Sequence, residues 1–249
     1  MRLDFIGVGF PRSGSTWLTF CLYEHPEISI PKFNLLTEIN YFPEEYEVMG
    51  LKNYEKKFKK CDFNKVVGEL STTIILKKRS ARILHKLFPN AKIIIYRRKE
   101  KDRAMSDYLT KKHFDLLENI SLKDVQVDQK SLIEPWIKEF GKENVFIFDL
   151  EKSDKNKQRE LNKLYRFLGV SEFTPPSINK DSKQYKKVYK FNTTWKDRKK
   201  KIPKTTRIKF LRKIINFVKH NLRKNKKVYY TLKRNFHMDY IFQWINRRL

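Results

Sequence analysis

The sequence predicts an α/β fold: a P-loop-like parallel β-sheet flanked by helices, with a basic helical C-terminal extension. Three observations carry this. Short β-branched and aromatic runs alternate with segments of helical periodicity through the first 170 residues. The first apolar run passes directly into a Gly- and Ser-containing loop that opens a helix. The last quarter of the chain changes composition abruptly to Lys and Arg interleaved with apolar residues.

In chain order, residues 5–10 (FIGVGF) read as a buried strand, followed by the loop PRSGST and a helix over 17–24. Residues 66–70 form a second short strand and 79–88 a helix. The run KIIIY at 92–96 is a strand, 101–117 a helix, 132–140 a helix and VFIFDL at 145–150 a strand. A helix over 158–168 is stopped by Gly169. Strands separated by helices pair in parallel through right-handed crossovers, and such sheets bind ligands beyond the carboxyl ends of their strands.

A chain of 249 residues suits one large core with an appendage, divided here into an α/β domain over 1–191 and an extension over 192–249. From Lys196 onward there are 19 Lys and Arg against only Asp197 and Asp239. Within that tail Ile208, Leu211, Ile214, Ile215, Val218 and Leu222 recur at helical spacing, the pattern of a basic amphipathic helix that packs on the core or meets a polyanion or membrane surface. The net charge of +28 predicts attraction to phosphate, sulfate, nucleic acid or anionic membrane without choosing among them. Cys21 and Cys61 are too few for a disulfide scaffold, and the five His form no zinc-ligand spacing, so a reducing compartment and no metal are expected. The apolar opening is too short for a signal peptide and no run approaches membrane-spanning length, which gives the expectation of a cytoplasmic protein.

The segment Gly9 to Thr16 fits the phosphate-loop pattern GxxxxGK[ST], except that Ser15 stands where the lysine should be. Gly14 permits the tight turn, successive N–H groups face into the loop, and the helix N-terminus adds its dipole, so an anion of phosphate type can be held. Arg12 restores the missing positive charge. The strand KIIIY runs into Arg97 and Arg98, cations where a magnesium-dependent NTPase places an aspartate. Both departures point to a nucleotide-like ligand held by cationic side chains without metal. Arg98 at the strand tip and Ser106 two helical turns later can converge on one phosphate, while Arg103 suits either ligand contact or an ion pair with Glu100 or Asp107.

PRSGSTW and RKEKDRAMS resemble the two cofactor motifs of sulfotransferases that use 3′-phosphoadenosine 5′-phosphosulfate, PAPS. The segments HPEI from His25, TEINYF from Thr37, GELS from Gly68 and LFPNAK from Leu87 are similar to the carbohydrate O-sulfotransferase branch, which includes heparan sulfate enzymes and bacterial relatives. The resemblance covers most of residues 3 to about 170. It implies that Arg12, Ser13, Gly14, Ser15, Thr16 and Trp17 hold the 5′-phosphosulfate, and that Arg98 and Ser106 hold the 3′-phosphate. Arg12 would also stabilise charge on the leaving bisphosphate.

The same resemblance makes Glu38 the base that takes the acceptor proton, with Glu69 as runner-up or as a supporting group through Ser71. Thr37 and Asn40 stand where the family has Lys and His around that base, Leu70 replaces a substrate-site Lys, and Lys99-Glu100 replaces Asp-Pro. These departures bear on the acceptor more than on the donor. The implied function is metal-independent sulfuryl transfer to a hydroxyl of a glycan or glycolipid, with the tail gripping an acidic acceptor or holding the enzyme near an anionic membrane. The rivals are a P-loop small-molecule kinase, disfavoured by the missing loop lysine and strand-end aspartate, and a nonenzymatic nucleic-acid-binding protein whose Tyr229, Tyr230, Phe236 and Trp244 stack bases.

Overall fold

The computed structural model describes residues 1–31, 38–113 and 120–179. In chain order they form β1 (Phe5–Gly9), α1 (Ser15–Tyr23), β2 (Ile28–Ser29), α2 (Glu44–Met49), α3 (Leu51–Glu55), β3 (Val66–Ser71), α4 (Arg79–Leu87), β4 (Lys92–Arg97), α5 (Glu100–His113), α6 (Gln129–Phe140), β5 (Val145–Asp149), α7 (Leu150–Lys155) and α8 (Lys157–Leu168). The strands make one five-stranded sheet in the order β2-β3-β1-β4-β5. Every pairing is parallel, with β1 at the centre placing Val8 beside Ser71 on one side and Ile95 on the other. The α/β architecture expected from the alternation is therefore the one observed.

Strand alternation divides the interior into two layers. Ile6, Val8, Ile93 and Ile95 point to one face, where Tyr54, Leu84, Trp136 and Phe140 from helices cover them. Phe5, Leu70, Ile94 and Tyr96 point to the other, against Leu18 and Leu22 of α1 and Leu161 and Leu164 of α8. Because β1, β3 and β4 are covered on both faces, they read as continuous apolar runs rather than alternating ones.

Several boundaries shift for local reasons. The expected helix at 132–140 begins at Gln129, because the Asp128 side chain accepts from the N–H groups of Lys130 (3.1 Å) and Ser131 (3.4 Å) and caps it. The helix ending at Leu168 stops where Gly169 takes a left-handed φ of 81°, as expected. β2, α2, α3 and α7 are absent from the sequence reading, since a two-residue strand forms no apolar run and helices of five or six residues are too short to show a helical period. The last residues of the helix expected over 101–117 and the basic extension over 192–249 lie outside the described residues. Among the described residues, no helix is long and apolar enough to cross a membrane.

Candidate active site

Parallel pairing brings the C-terminal ends of β1, β3 and β4 side by side, and the residues singled out in the sequence lie there. The loop after β1 turns at Gly14, whose φ of 84° is left-handed and where an added Cβ would lie 2.8 Å from Leu150 Cδ1. At Gly9, just before the loop, a Cβ would run into the Tyr96 ring, so the close approach of β1 to that side chain requires glycine. Leu18 N donates to Gly14 O at 3.1 Å, which starts the α1 ladder. The N–H groups of Ser15, Thr16 and Trp17 thus form the first turn of a nine-residue helix with no side-chain cap. Ser13 Oγ is buried in the same loop and has no hydrogen-bond partner among the described residues. Uncapped N–H groups, an orphaned buried hydroxyl and the helix dipole together suit a bound oxyanion.

The side chains around the loop are committed to particular partners. Arg12, itself at a left-handed φ of 71°, donates from Nε to Ser106 Oγ at 3.2 Å. The structure therefore joins the loop cation to the α5 serine directly. Arg98, just beyond β4, faces Glu151 Oε1 at 3.9 Å, and the neighbouring Lys99 N–H donates to the same oxygen at 2.9 Å. Arg97 pairs with Asp149 at the end of β5, at 3.2 Å, so that strand-end carboxylate is already engaged by a cation. Trp17 is buried against Phe148, and its Nε1 donates to Ser177 O at 3.0 Å, tying residues 176–179 to α1.

Arg103 is structural rather than ligand-facing. It is 1% exposed; its guanidinium donates to Glu100 Oε2 (2.8 Å) and Oε1 (2.7 Å) and to Val125 O, reaches Pro11 O in the loop at 3.5 Å, and lies 3.8 Å from Asp107. Of the two roles open to it in the sequence, the ion pair with Glu100 and Asp107 is the one formed.

Glu38 reaches the loop from the segment before α2. Its Oε1 accepts from Ser15 Oγ at 3.1 Å, and its Oε2 accepts from Asn40 Nδ2 at 3.1 Å and from Thr72 Oγ1. Ile39, Tyr41 and Phe42 are buried, so this carboxylate is held in direction by its neighbours rather than extended into solvent. Three donors occupy three of the four lone-pair directions, which leaves one on Oε1, beside the phosphate-type loop, free to accept a proton. Asn40 is the second described non-glycine residue with positive φ, 46°, and the two such residues, Arg12 and Asn40, flank the same site.

Behind Glu38 lies a second carboxylate. Glu69, on β3, is 1% exposed; Tyr54 OH donates to its Oε1 at 2.8 Å and Ser71 Oγ to its Oε2 at 2.7 Å. Burial pushes its carboxyl up to about 7, against the pull of those two hydrogen bonds and the Lys57 charge, with Glu38 adding to the rise. Glu69 therefore supports the site rather than opening into it. Tyr96 OH is fully buried and has no partner among the described residues, and burial together with the Glu38 and Glu69 charges holds the phenol well above its usual range. Thr72 and Tyr96 were not legible as site residues, because only the pairing of β1 with β3 on one side and β4 on the other brings them to Glu38 and Glu69, and Asn40 was legible only as a departure beside Glu38.

Comparison with known proteins bears on the family and the fold. The sulfotransferase domain family matches residues 2–243. The membrane-associated sulfotransferase kil1 of Dictyostelium discoideum is 31% identical over 116 residues, 45% of this chain, and the matched part spans only 23% of that longer protein. A sulfotransferase from Alicyclobacillus acidocaldarius superposes with a TM-score of 0.58 at 21% identity, covering 79% of this chain and 93% of that one. The sulfotransferase domain from the curacin biosynthetic pathway gives 0.53 at 19% identity, covering 74% and 79%. At those identities the two structures establish a shared fold, while the domain match runs through both cofactor-like motifs and nearly the whole sequence. The chain belongs to the sulfotransferase family.

Proposed function

We infer that the protein transfers the sulfuryl group of PAPS to a hydroxyl of a glycan or glycolipid, in line and without a metal. The observation that carries this reading is the 3.1 Å hydrogen bond from Ser15 to Glu38, which sets an oriented carboxylate beside an uncapped helix N-terminus suited to an oxyanion. PAPS supplies the activated sulfuryl group. In this reading the Ser13 hydroxyl and the N–H groups of Gly14 to Trp17 hold its 5′-phosphosulfate, with Arg12 adding charge, and Ser106 and Arg98 hold its 3′-phosphate. Glu38 Oε1 takes the proton of the acceptor hydroxyl as the new O–S bond forms, and Arg12 with the loop N–H groups stabilises the charge left on the bisphosphate.

The cationic strand end supports transfer without a metal: Arg97 and Arg98 stand where a phosphoryl-transfer enzyme needs a free carboxylate, and Asp149 is paired with Arg97. The segments similar to carbohydrate enzymes support a sugar hydroxyl as acceptor. The basic tail, as an extension over 192–249 of a domain over 1–191, supports contact with an acidic acceptor or an anionic membrane surface from the cytoplasm.

Thermal stability in the presence of nucleotides tests the donor site. At raised salt, 3′,5′-adenosine bisphosphate should stabilise the protein more than ATP, equally with and without magnesium. Stabilisation by ATP that requires magnesium would restore the kinase reading, and no shift with either nucleotide would leave the charged tail as the functional element. The Arg98→Ala variant should bind the bisphosphate about tenfold or more weakly by calorimetry, the loss of one charge-assisted contact. Unchanged affinity would remove Arg98 from the site and leave its contact with Glu151 as its whole role.

A further inference from the structure

Among the described residues, a buried polar chain starts at Tyr54, outside the residues assigned to donor or acceptor. Tyr54 and Ser71 donate to the two oxygens of Glu69, at 2.8 and 2.7 Å. The backbone N–H of Asn40 donates to Ser71 Oγ at 2.9 Å. Asn40 Oδ1 accepts from Thr73 N at 3.1 Å, and Asn40 Nδ2 donates to Glu38 Oε2 at 3.1 Å. Two residues, Ser71 and Asn40, thus connect a buried carboxylate to the one beside the phosphate-type loop through three hydrogen bonds, and the backbone of Asn40, which is left-handed, needs external support.

We propose that Glu69 is a positioning residue of the transfer reaction: acting through Ser71 and Asn40, it fixes the direction of the Glu38 carboxylate. The proposal rests on the reading of Glu38 as the base.

Hydrogen-bond counting gives the link its direction. Ser71 has one proton and two lone pairs, and giving that proton to Glu69 turns a lone pair toward the Asn40 N–H. Both Glu69 oxygens already face donors, and Tyr54 is 0% exposed, so the pattern is satisfied only with Glu69 ionised. A proton on the Ser71 side reverses that bond and strands the serine proton; a proton on the Tyr54 side strands the phenol proton. The charged and titratable groups facing Glu69 are Tyr54 of α3, Lys57 in the turn Lys56–Phe58, Glu38 across the site and Tyr96 of β4, while Glu45 of α2 lies 4.0 Å from Lys57. Burial dominates this set and Lys57 moderates it. Ionisation of Glu69 at a pH of about 7 therefore completes the chain to Glu38, and the rate of transfer rises through that pH.

The test uses the full chain and follows bisphosphate release from PAPS, with octyl glucoside as the acceptor hydroxyl and, in parallel, with water alone. Binding of 3′,5′-adenosine bisphosphate is measured by calorimetry on the same proteins. Ser71→Ala cuts the chain while removing a single oxygen; kcat should fall at least tenfold with bisphosphate affinity within twofold of the unmodified protein. Glu69→Gln can still accept from Ser71 through its amide oxygen, so it should lose less rate than Glu69→Ala, and its kcat should lack the rise near pH 7. Ser71→Ala with kcat within twofold of the unmodified protein overturns the proposal, as does a pH profile of Glu69→Gln identical to the original. Loss of bisphosphate binding in step with rate in all three variants also overturns it, because that marks a merely structural role. Glu38→Gln separates the two levels: full turnover in that variant removes the base itself, whereas an inactive Glu38→Gln beside a fully active Ser71→Ala removes only the relay.

Discussion

Glu38→Gln should abolish most sulfuryl transfer while leaving the donor site intact. The amide keeps the size of the carboxylate but has no basic oxygen for the acceptor proton, and loss of a general base costs about 10²- to 10⁴-fold in rate. Its oxygen can still accept from Asn40 and Thr72, so the segment at 38–42 keeps its packing around buried Ile39, Tyr41 and Phe42. Affinity for 3′,5′-adenosine bisphosphate should therefore stay within a few-fold. Steady-state rates with a fixed acceptor, set beside calorimetric binding, separate the two quantities. A variant that retains turnover would place the base elsewhere, and a variant that loses bisphosphate binding would make Glu38 part of the anion site through Ser15.

Arg103→Met should be the most destabilising of the substitutions considered. The guanidinium is nearly inaccessible, with its side chain 2% exposed, and one side chain ties α5 to the phosphate-type loop at Pro11 and to the turn at Val125. Methionine fills similar space but leaves the carboxylates of Glu100 and Asp107 without their buried cation. Removing one partner of a buried pair costs about 3–5 kcal/mol, which for a chain of this size lowers the melting temperature by on the order of 10 °C. The pH dependence has a definite sign. Burial raises the Glu100 carboxyl, but hydrogen bonds from Arg103, Gln129 and the Val127 N–H, with the Arg103 charge, outweigh it and hold the group below its ordinary value. A carboxylate lowered in the folded state contributes stability above its unfolded pKa and loses it as pH falls through the folded one. The unmodified protein should thus lose stability on acidification through that range, and Arg103→Met should show a flatter acid limb. Melting curves between neutral and acid pH check both points; an unchanged melting temperature would mean that the loop is held by its backbone alone.

Strands β1, β3 and β4 were legible because burial on both faces of a parallel sheet forces apolar runs, the half-buried edge strand β5 from its β-branched and aromatic run, and the helices α1, α4, α5, α6 and α8 because helices covering a sheet must repeat every three to four residues. The phosphate-type loop was legible for a local reason: a turn that presents successive N–H groups needs glycine at Gly14, a conformation that other side chains resist. Arg12 and Ser106 were named from the loop and strand-end segments by their charge and hydrogen-bonding chemistry, and Glu38 from the resemblance of the segment TEINYF.

Which of these groups touch was decided only by the tertiary structure. Nothing in the spacing of 94 residues between Arg12 and Ser106 says that they share a hydrogen bond, and Arg98 could as well have faced Ser106 as Glu151. Arg103 offered two roles with the same local pattern, and burial beneath the loop selected the ion pair. The chain from Tyr54 through Glu69, Ser71 and Asn40 to Glu38 draws on α3, β3 and the segment before α2, which meet because β3 pairs with β1 in register. Residue identity along the chain is governed by local conformation and by burial, both of which leave a periodic trace; partnership between distant side chains is governed by packing, which leaves none. Local conformation and burial, written into the sequence, specify the layered α/β fold and the glycine-containing phosphate-type loop, and the packing of β3 against β1 sets how the carboxylate beside that loop is held.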